Sequence, residues 1–349
     1  MVVAVDAMGG DKAPDEVVKG AVIAARDRRY RIVLVGEENK LKECAASVPG
    51  ASKLEVVPAP EVIDMGEAPA AAVRRKPKCS IVVAANLVRE GKAHAFVSAG
   101  NSGACMASAA VYLGLLDGVE RPAIAAVLPT QRGKCVLVDS GAVVDCSAEM
   151  LLQFAVMGQA YARAVLKIPH PRVGILNIGE EASKGNNLTK AAAALLRSSS
   201  SVNFCGNVEG TGLYQGQADV VVCDGFVGNI VLKASEGLAE MLMWYLKESL
   251  KKTLLTRIGA LCLRSAWQSL KPISDYAEHG GAPLLGVKGV CIIAHGRSNA
   301  RAIANAIRAA GAAASANLVE TIKKGLEESG LADSYRAAPA SNAGEELKP

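Results

Sequence analysis

The sequence predicts an α/β protein built as a three-layer sandwich around a mostly parallel sheet. Two observations predict it. The chain of 349 residues is half hydrophobic with only two Trp and four Phe, an aliphatic bias that suits a sheet covered by helices on both faces. It also repeats one phrase, a short apolar run, a turn of glycine and small polar residues, then a helical pattern. Strands alternating with helices in this way make βαβ units with right-handed crossovers.

Val2 to Val5 runs into Asp6-Ala7-Met8-Gly9-Gly10-Asp11, with a helix expected from Pro14, a residue that suits a first helical position. Ile32 to Val35 ends at Gly36 before a charged helix. Ala95 to Val97 leads to Ser98-Ala99-Gly100-Asn101-Ser102-Gly103 and an apolar helix. Cys135 to Val138 leads to Asp139-Ser140-Gly141, and Val173 to Leu176 leads to Asn177-Ile178-Gly179-Glu180-Glu181. Val220 to Cys223 leads to Asp224-Gly225-Phe226-Val227-Gly228-Asn229. Cys291 to Ala294 leads to His295-Gly296-Arg297-Ser298, then a long Ala-rich helix from about Asn299. In such sheets the loops leaving the strands are expected to gather along one edge, where ligands bind.

Residues 1–333 read as one α/β domain and 334–349 as a mobile tail rich in Ala, Pro, Asn and Glu. Residues 238–276 break the alternation. Leu242, Trp244, Tyr245, Leu246, Leu250, Leu254, Leu255 and Ile258 are interspersed with Lys247, Lys251, Lys252 and Arg257, which predicts a helical hairpin projecting from the sheet. Its apolar stripe suits a dimer interface, its basic residues an acidic partner, and its tip anionic lipid.

A net charge of +5 permits anionic small molecules but is too weak to argue for nucleic acid. Nine cysteines without a C-x-x-C pair indicate neither a zinc site nor a disulfide framework, and so a reducing compartment. Asp6 interrupts any signal-peptide core, and the longest apolar stretch, near Ala104 to Leu116, is too short to span a bilayer. The G-x-x-x-x-G-K-[ST], G-x-S-x-G and post-strand G-x-G-x-x-G patterns are absent.

The loops carry the candidate chemistry. Glycine-rich turns opening helices favour anions through exposed N–H groups and the helix dipole. Ser98, Gly100, Asn101, Ser102 and Gly103 therefore form either a phosphate cradle or a tight turn capped by Ser102. Lys184 can hold a phosphate oxygen or an oxyanion; Glu180 or Glu181 can order it, deprotonate a phosphate, or face solvent, with Asn177 opening that loop. Asp224, Gly228 and Asn229 stand at a ligand edge or cap a helix. Lys233 one turn later reads as a surface residue. The stretch from His279 to Gly286, with Gly281, reads as a rigid apolar loop forming a wall. His295 is placed to donate to phosphate or carbonyl oxygen, whereas His94 and His170 precede strands.

Taken together, these phrases resemble the phosphate acyltransferases of bacterial phospholipid synthesis, the PlsX family. The matching stretches are Val5 to Asp11, Ser98 to Ala104, Asn177 to Glu181 with Lys184-Gly185, Phe226 to Asn229 with Lys233 and Glu236-Gly237, and Gly280 to Gly286 with His295-Gly296. They stand in the family's order up to about residue 330. One departure is Gly141-Ala142-Val143-Val144-Asp145-Cys146, where the family has Asn at the Val143 position; others are Ser102 in place of Thr and His279 in place of Tyr.

The resemblance implies a homodimer with a fold like the isocitrate and isopropylmalate dehydrogenases, without their cofactor or a metal. It implies transfer of a fatty acyl group from acyl carrier protein to inorganic phosphate, the acyl phosphate then serving a membrane glycerol-3-phosphate acyltransferase. Location is expected in the cytoplasm with peripheral membrane contact through Lys251, Lys252, Leu254, Leu255 and Arg257. Lys184, Asn229, His295 and Asp6 are the expected catalytic residues, with Gly10 among the phosphate-binding glycines. Two rivals remain: a phosphate acyltransferase for short acyl-CoA, and a non-catalytic phosphate- or nucleotide-binding protein on the same sheet.

Overall fold

A computed structural model of the chain describes residues 1–253, 256 and 280–332. Eleven strands form one sheet in the order β3-β2-β1-β4-β11-β10-β5-β6-β9-β7-β8. They are β1 (Val2–Asp6), β2 (Arg31–Gly36), β3 (Glu55–Pro58), β4 (Ala95–Ser98), β5 (Ala123–Thr130), β6 (Gly133–Val138), β7 (Val173–Leu176), β8 (Phe204–Val208), β9 (Val220–Val222), β10 (Ala282–Leu285) and β11 (Val290–Ile293). All seven apolar runs read from the sequence are strands. The sheet is parallel except around β10 and between β5 and β6.

The described helices are α1 (Asp15–Ala25), α2 (Glu38–Ser47), α3 (Pro69–Arg75), α4 (Ser80–Arg89), α5 (Ser102–Ser108), α6 (Ala148–Ala164), α7 (Asn187–Ser198), α8 (Gly210–Gln215), α9 (Gly225–Lys251), α10 (Ala300–Ser315) and α11 (Leu318–Glu328). A π-helical turn, Ala109–Leu113, extends α5. Pro14 stands one residue before its expected place, as the N-cap of α1.

Successive strand residues point to opposite faces, and the burial follows that period. Val3, Val5, Ile32, Leu34, Val136, Val138, Val220 and Val222 join one continuous core with α1, α2, α6, α7, α10 and α11. The opposite face is divided. Ala4, Val33, Phe96 and Leu284 pack under α4 and α5, whereas Leu137, Leu176 and Val221 pack with Leu213 of α8 and Val231 and Leu232 of α9. The division falls along β5, which gives Ile124 to the first cluster and Leu128 to the second.

The pairings show that the strands reach the row where these loops gather from two directions. Val138, the last residue of β6, pairs with Ala125 near the start of β5. Ala123 of β5 pairs with Leu285, the last residue of β10, and β10 runs antiparallel to β11. The strands β6, β9 and β7 therefore run opposite to β1, β4 and β11, yet the registers set Val138, Val222 and Ile175 in one row with Val5, Val97 and Ile292, so the carboxyl ends of the two sets meet along a single line across the sheet. The hairpin β5–β6 reverses the chain, and a pattern of short apolar runs carries no record of that reversal.

The stretch expected as a wall loop is largely β10, with Leu284 and Leu285 buried. The expected hairpin begins earlier than residue 238: α9 is a single helix of 27 residues. The rest of that hairpin, His279 and nearly all of the tail lie outside the described residues. Among the described residues no helix is long and apolar enough to cross a membrane.

Candidate active site

Three loops leaving the adjacent strands β1, β4 and β11 converge at their carboxyl ends. Asp6, at the end of β1, is 1% exposed. It accepts hydrogen bonds from the Ser98 hydroxyl at 2.6 Å and the Met8 N–H at 3.2 Å, and also from Ser80 and the Gly9 N–H. Burial raises its pKa above the usual 3.8, and these donors oppose the rise. Ser98 in turn accepts from the Gly100 N–H at 3.1 Å. A Cβ on Gly9 would stand 2.7 Å from the Gly100 nitrogen, so only glycine lets the two loops meet. Gly10, at φ +108°, faces the Gly296 and Ala99 carbonyls, and the Asp11 N–H donates to the Gly296 oxygen at 2.9 Å.

Asn101 is buried, with every polar atom of its side chain committed. Its amide donates to the Met65 and Glu67 carbonyls at 3.0 and 3.1 Å. Its Oδ1 accepts from the Ala104 N–H, so Asn101, not Ser102, caps α5. Ser102 is exposed at the first helical position, and Gly103 packs against Pro69. The N–H groups of Ser102 and Gly103 lie in the turn that has no preceding helical carbonyls. They, and not the Asn101 side chain, are the donors this loop offers to an anion.

His295 follows β11 and is half-buried; its Nδ1 accepts from the Arg297 N–H at 3.2 Å. Burial lowers its pKa below 6.5, and Lys233 and Arg297 push the same way against Glu236 and Asp11. Its imidazole is thereby held toward the neutral form. His94, discounted in the sequence, accepts from the Val2 N–H through Nδ1.

A second group, reaching the same row of the sheet from the other direction, assembles around Asp139, which sequence reasoning did not place in the site. Asp139 is fully buried. Its carboxylate accepts from the N–H groups of Ile124, Gly141, Ala142 and Val143 at 2.7–3.2 Å. The available signal was an acid ending an apolar strand before Ser-Gly, the same pattern as Asp6. Val143 contributes through its backbone, its oxygen accepting from the Gly225 N–H at 2.7 Å. Asp224 caps α9 through Val227. A Cβ on Gly225 would stand 2.5 Å from the Asp139 Oδ2, and one on Gly228 would overlap the Asp139 carbonyl oxygen. Helix and loop are thus in backbone contact, which sets Asn229 beside Gly141, 3.5 Å from the position its Cβ would take.

The loop after β7 is tied by its own side chains. Asn177 donates to the Lys184 carbonyl at 3.2 Å and accepts from the Ile178 N–H. Glu180 accepts from Gln217, and Asn207 donates to the Glu181 carbonyl. Lys184 is exposed, its stem folded over Gly179 beside the Glu181 carboxylate. Gly281 packs on Ile292 and Ile293 of β11. Lys251 pairs with Glu248 and Lys252 is exposed; Leu254, Leu255 and Arg257 lie outside the described residues. Among the described residues no group of three or more His, Cys, Asp or Glu side chains is placed to hold a metal ion.

The family model described as "Fatty acid synthesis protein" matches residues 1–321. A protein named phosphate acyltransferase from Pelotomaculum thermopropionicum is 51% identical over 327 residues, covering 94% of this chain and 95% of that one. The chain belongs to the phosphate acyltransferase family. It is an acyltransferase enzyme. A phosphate acyltransferase from Moorella thermoacetica is also 51% identical, over 310 residues, 89% of this chain and 91% of its own length.

Solved structures show the fold. The EutD phosphotransacetylase from Staphylococcus aureus superposes with a TM-score of 0.60 at 16% identity, covering 90% of this chain and 94% of that one. A 4-hydroxythreonine-4-phosphate dehydrogenase from Klebsiella pneumoniae gives 0.54 at 16% identity, covering 89% and 98%. The dehydrogenase-like fold expected from the resemblance is the fold observed.

Proposed function

We propose that the protein transfers a fatty acyl group from acyl carrier protein to inorganic phosphate, giving acyl phosphate for phospholipid synthesis. The observation that carries this reading is the full-length match to relatives named phosphate acyltransferase at about half identity. The geometry supplies backbone and side-chain donors for phosphate and for a carbonyl oxygen.

A thioester carbonyl is electrophilic, and phosphate is a competent nucleophile. A phosphate oxygen bonds to the carbonyl carbon, the oxyanion collapses, and the carbon–sulfur bond breaks, leaving the thiolate of the carrier to take a proton. The protein has to hold phosphate, align it and stabilise the oxyanion. The first turn of α5 offers N–H donors to phosphate, and Lys184 offers charge. Asn229 and His295 are the candidate donors to the carbonyl oxygen or leaving sulfur. Asp6 is too deeply buried to touch substrate and acts by fixing the loops.

A homodimer is part of the reading, supported by the exposed apolar face of α9, where Leu238, Met241, Leu242, Trp244 and Tyr245 are each about half exposed. So is a cytoplasmic location with reversible membrane contact near Leu254, tested by liposome sedimentation of a Leu254→Glu, Leu255→Glu variant. Unchanged lipid binding contradicts contact through that tip.

The donor is tested by phosphate-dependent thiol release from palmitoyl carrier protein, palmitoyl-CoA and acetyl-CoA at equal concentrations. Release fastest from palmitoyl carrier protein supports the reading. Faster release from acetyl-CoA supports a short-chain phosphate acyltransferase, and no release from any donor supports a non-catalytic phosphate-binding protein.

A further inference from the structure

Helix α9 starts where the carboxyl ends of the two sets of strands meet. Its first turn is pressed on Asp139, at the carboxyl end of β6. Its Val231 and Leu232 pack down on the second half of the sheet, and Phe226 and Ile230 face solvent. With 3.6 residues per turn, positions 229, 233 and 236 share one flank, between the packed and solvent sides. That flank starts with Asn229 beside Gly141. About 6 Å further along the axis comes Lys233, whose Nζ is held by Glu236 Oε2 at 2.8 Å. Lys233 and Glu236 lie within electrostatic reach of His295, as do Arg297 and Asp11, and His295 follows β11, whose end is level with that of β6. One helix flank therefore runs from the loop after β6 toward the histidine after β11.

We infer that Lys233, on the same helix flank as Asn229 and within electrostatic reach of His295, is a further substrate-binding residue that takes an anionic phosphate oxygen where the loops after β6 and β11 meet. The inference rests on the phosphate acyltransferase reading and adds a residue that the sequence presented as surface. An ammonium is a compact cation with three rotatable donors. Half-exposed on a helix anchored at its first turn, it can reach phosphate without reordering the backbone. Glu236 is a positioning residue in this account: it keeps the ammonium on the flank that faces His295, and a dianion can displace it or share the ammonium with it. The placement also gives His295 its task. A histidine held toward its neutral form near a cation is suited to donate one hydrogen bond to an acyl oxygen without adding a second positive charge.

The test is steady-state kinetics of Lys233→Ala, Lys233→Arg and Glu236→Gln on the full chain, varying phosphate and palmitoyl carrier protein separately. Loss of a charge-assisted bond should raise the phosphate KM of Lys233→Ala about tenfold or more, with the donor KM nearly unchanged. Lys233→Arg should restore most of the phosphate affinity, and Glu236→Gln should change the phosphate KM alone. Unchanged phosphate KM in Lys233→Ala overturns the inference, as does an equal loss in Lys233→Arg. Melting temperatures within a degree or two of wild type exclude misfolding, since the side chain is an exposed i,i+3 partner. If the wild-type protein itself releases no thiol in a phosphate-dependent way, the acyltransferase reading fails. The inference is then overturned separately if phosphate titrated by calorimetry binds wild type and Lys233→Ala equally.

Discussion

Ser98 stands between Asp6 and Gly100. Its hydroxyl donates to the buried carboxylate at 2.6 Å, and the same oxygen accepts the Gly100 N–H at 3.1 Å. One hydroxyl thus couples the end of β1 to the glycine-rich loop after β4. Ser98→Ala leaves a buried N–H unpaired and removes a donor from a desolvated carboxyl, at a cost of about 1–3 kcal/mol. Chemical denaturation should register that loss. The phosphate KM should rise as well, because the loop that opens α5 loses its anchor. A variant equal to wild type in both measurements refutes the coupling.

The pH dependence of stability has a definite sign at Asp6. Its folded pKa is raised, mainly by burial, so the carboxyl's contribution is fully present below the unfolded value near 3.8 and is lost as pH rises through the folded value. Asp6→Asn removes that titration. The stability of the variant relative to wild type should therefore improve between pH 4 and pH 7, whatever its absolute value. Urea midpoints at four pH values check this, and a relative change of opposite sign contradicts it.

Asn101 separates a structural role from a binding one. Its side chain caps α5 and holds the Met65 and Glu67 carbonyls. Asn101→Ala should cost at least the 1 kcal/mol or so of a lost cap. Asn101→Asp keeps the cap acceptor but turns an acceptor toward those carbonyls, so it should also lose stability. If either variant is as stable as wild type while its phosphate KM rises sharply, the side chain binds ligand after all.

The seven apolar runs of the sequence all became strands because buried parallel strands are written as unbroken aliphatic stretches. Edge strands β3 and β8 were not legible, being half-exposed and mixed in composition. The strand β10 was concealed by Gly280, Gly281 and Pro283, which read as a loop. In the structure both glycines have positive φ; Gly280 meets Asn305 and Ala309 of α10, and Gly281 meets Ile292 and Ile293 of β11. Asp6, Ser98 and the loops at Gly10 and Gly296 were legible as a cluster, since βα units place them on adjacent strands. Asp139 was passed over, and Lys233 read as surface, because their importance depends on the β5–β6 reversal and on where α9 crosses the sheet. Both are long-range facts that no local pattern states.

Two glycines of α9 should respond in opposite ways to alanine. At Gly228 a methyl group would overlap the Asp139 carbonyl oxygen, so Gly228→Ala must displace the helix from the loop. The expected loss is about 1–3 kcal/mol or more, with most of the activity. At Gly237 nothing lies within 4 Å of the added carbon among the described residues, and alanine is the better helix former by about 1 kcal/mol. Thermal melts and thiol-release rates of both variants check the pair. Equal effects would refute the close contact between α9 and Asp139.

Joining of an acyl group to phosphate is measured most directly by the product itself. Purified protein incubated with palmitoyl carrier protein and phosphate should yield acyl phosphate, seen by phosphorus NMR and trapped by hydroxylamine as the hydroxamate. It should form in proportion to the thiol released and vanish when phosphate is omitted. Thiol release that continues without phosphate and leaves free fatty acid would contradict the account and make the protein a thioesterase.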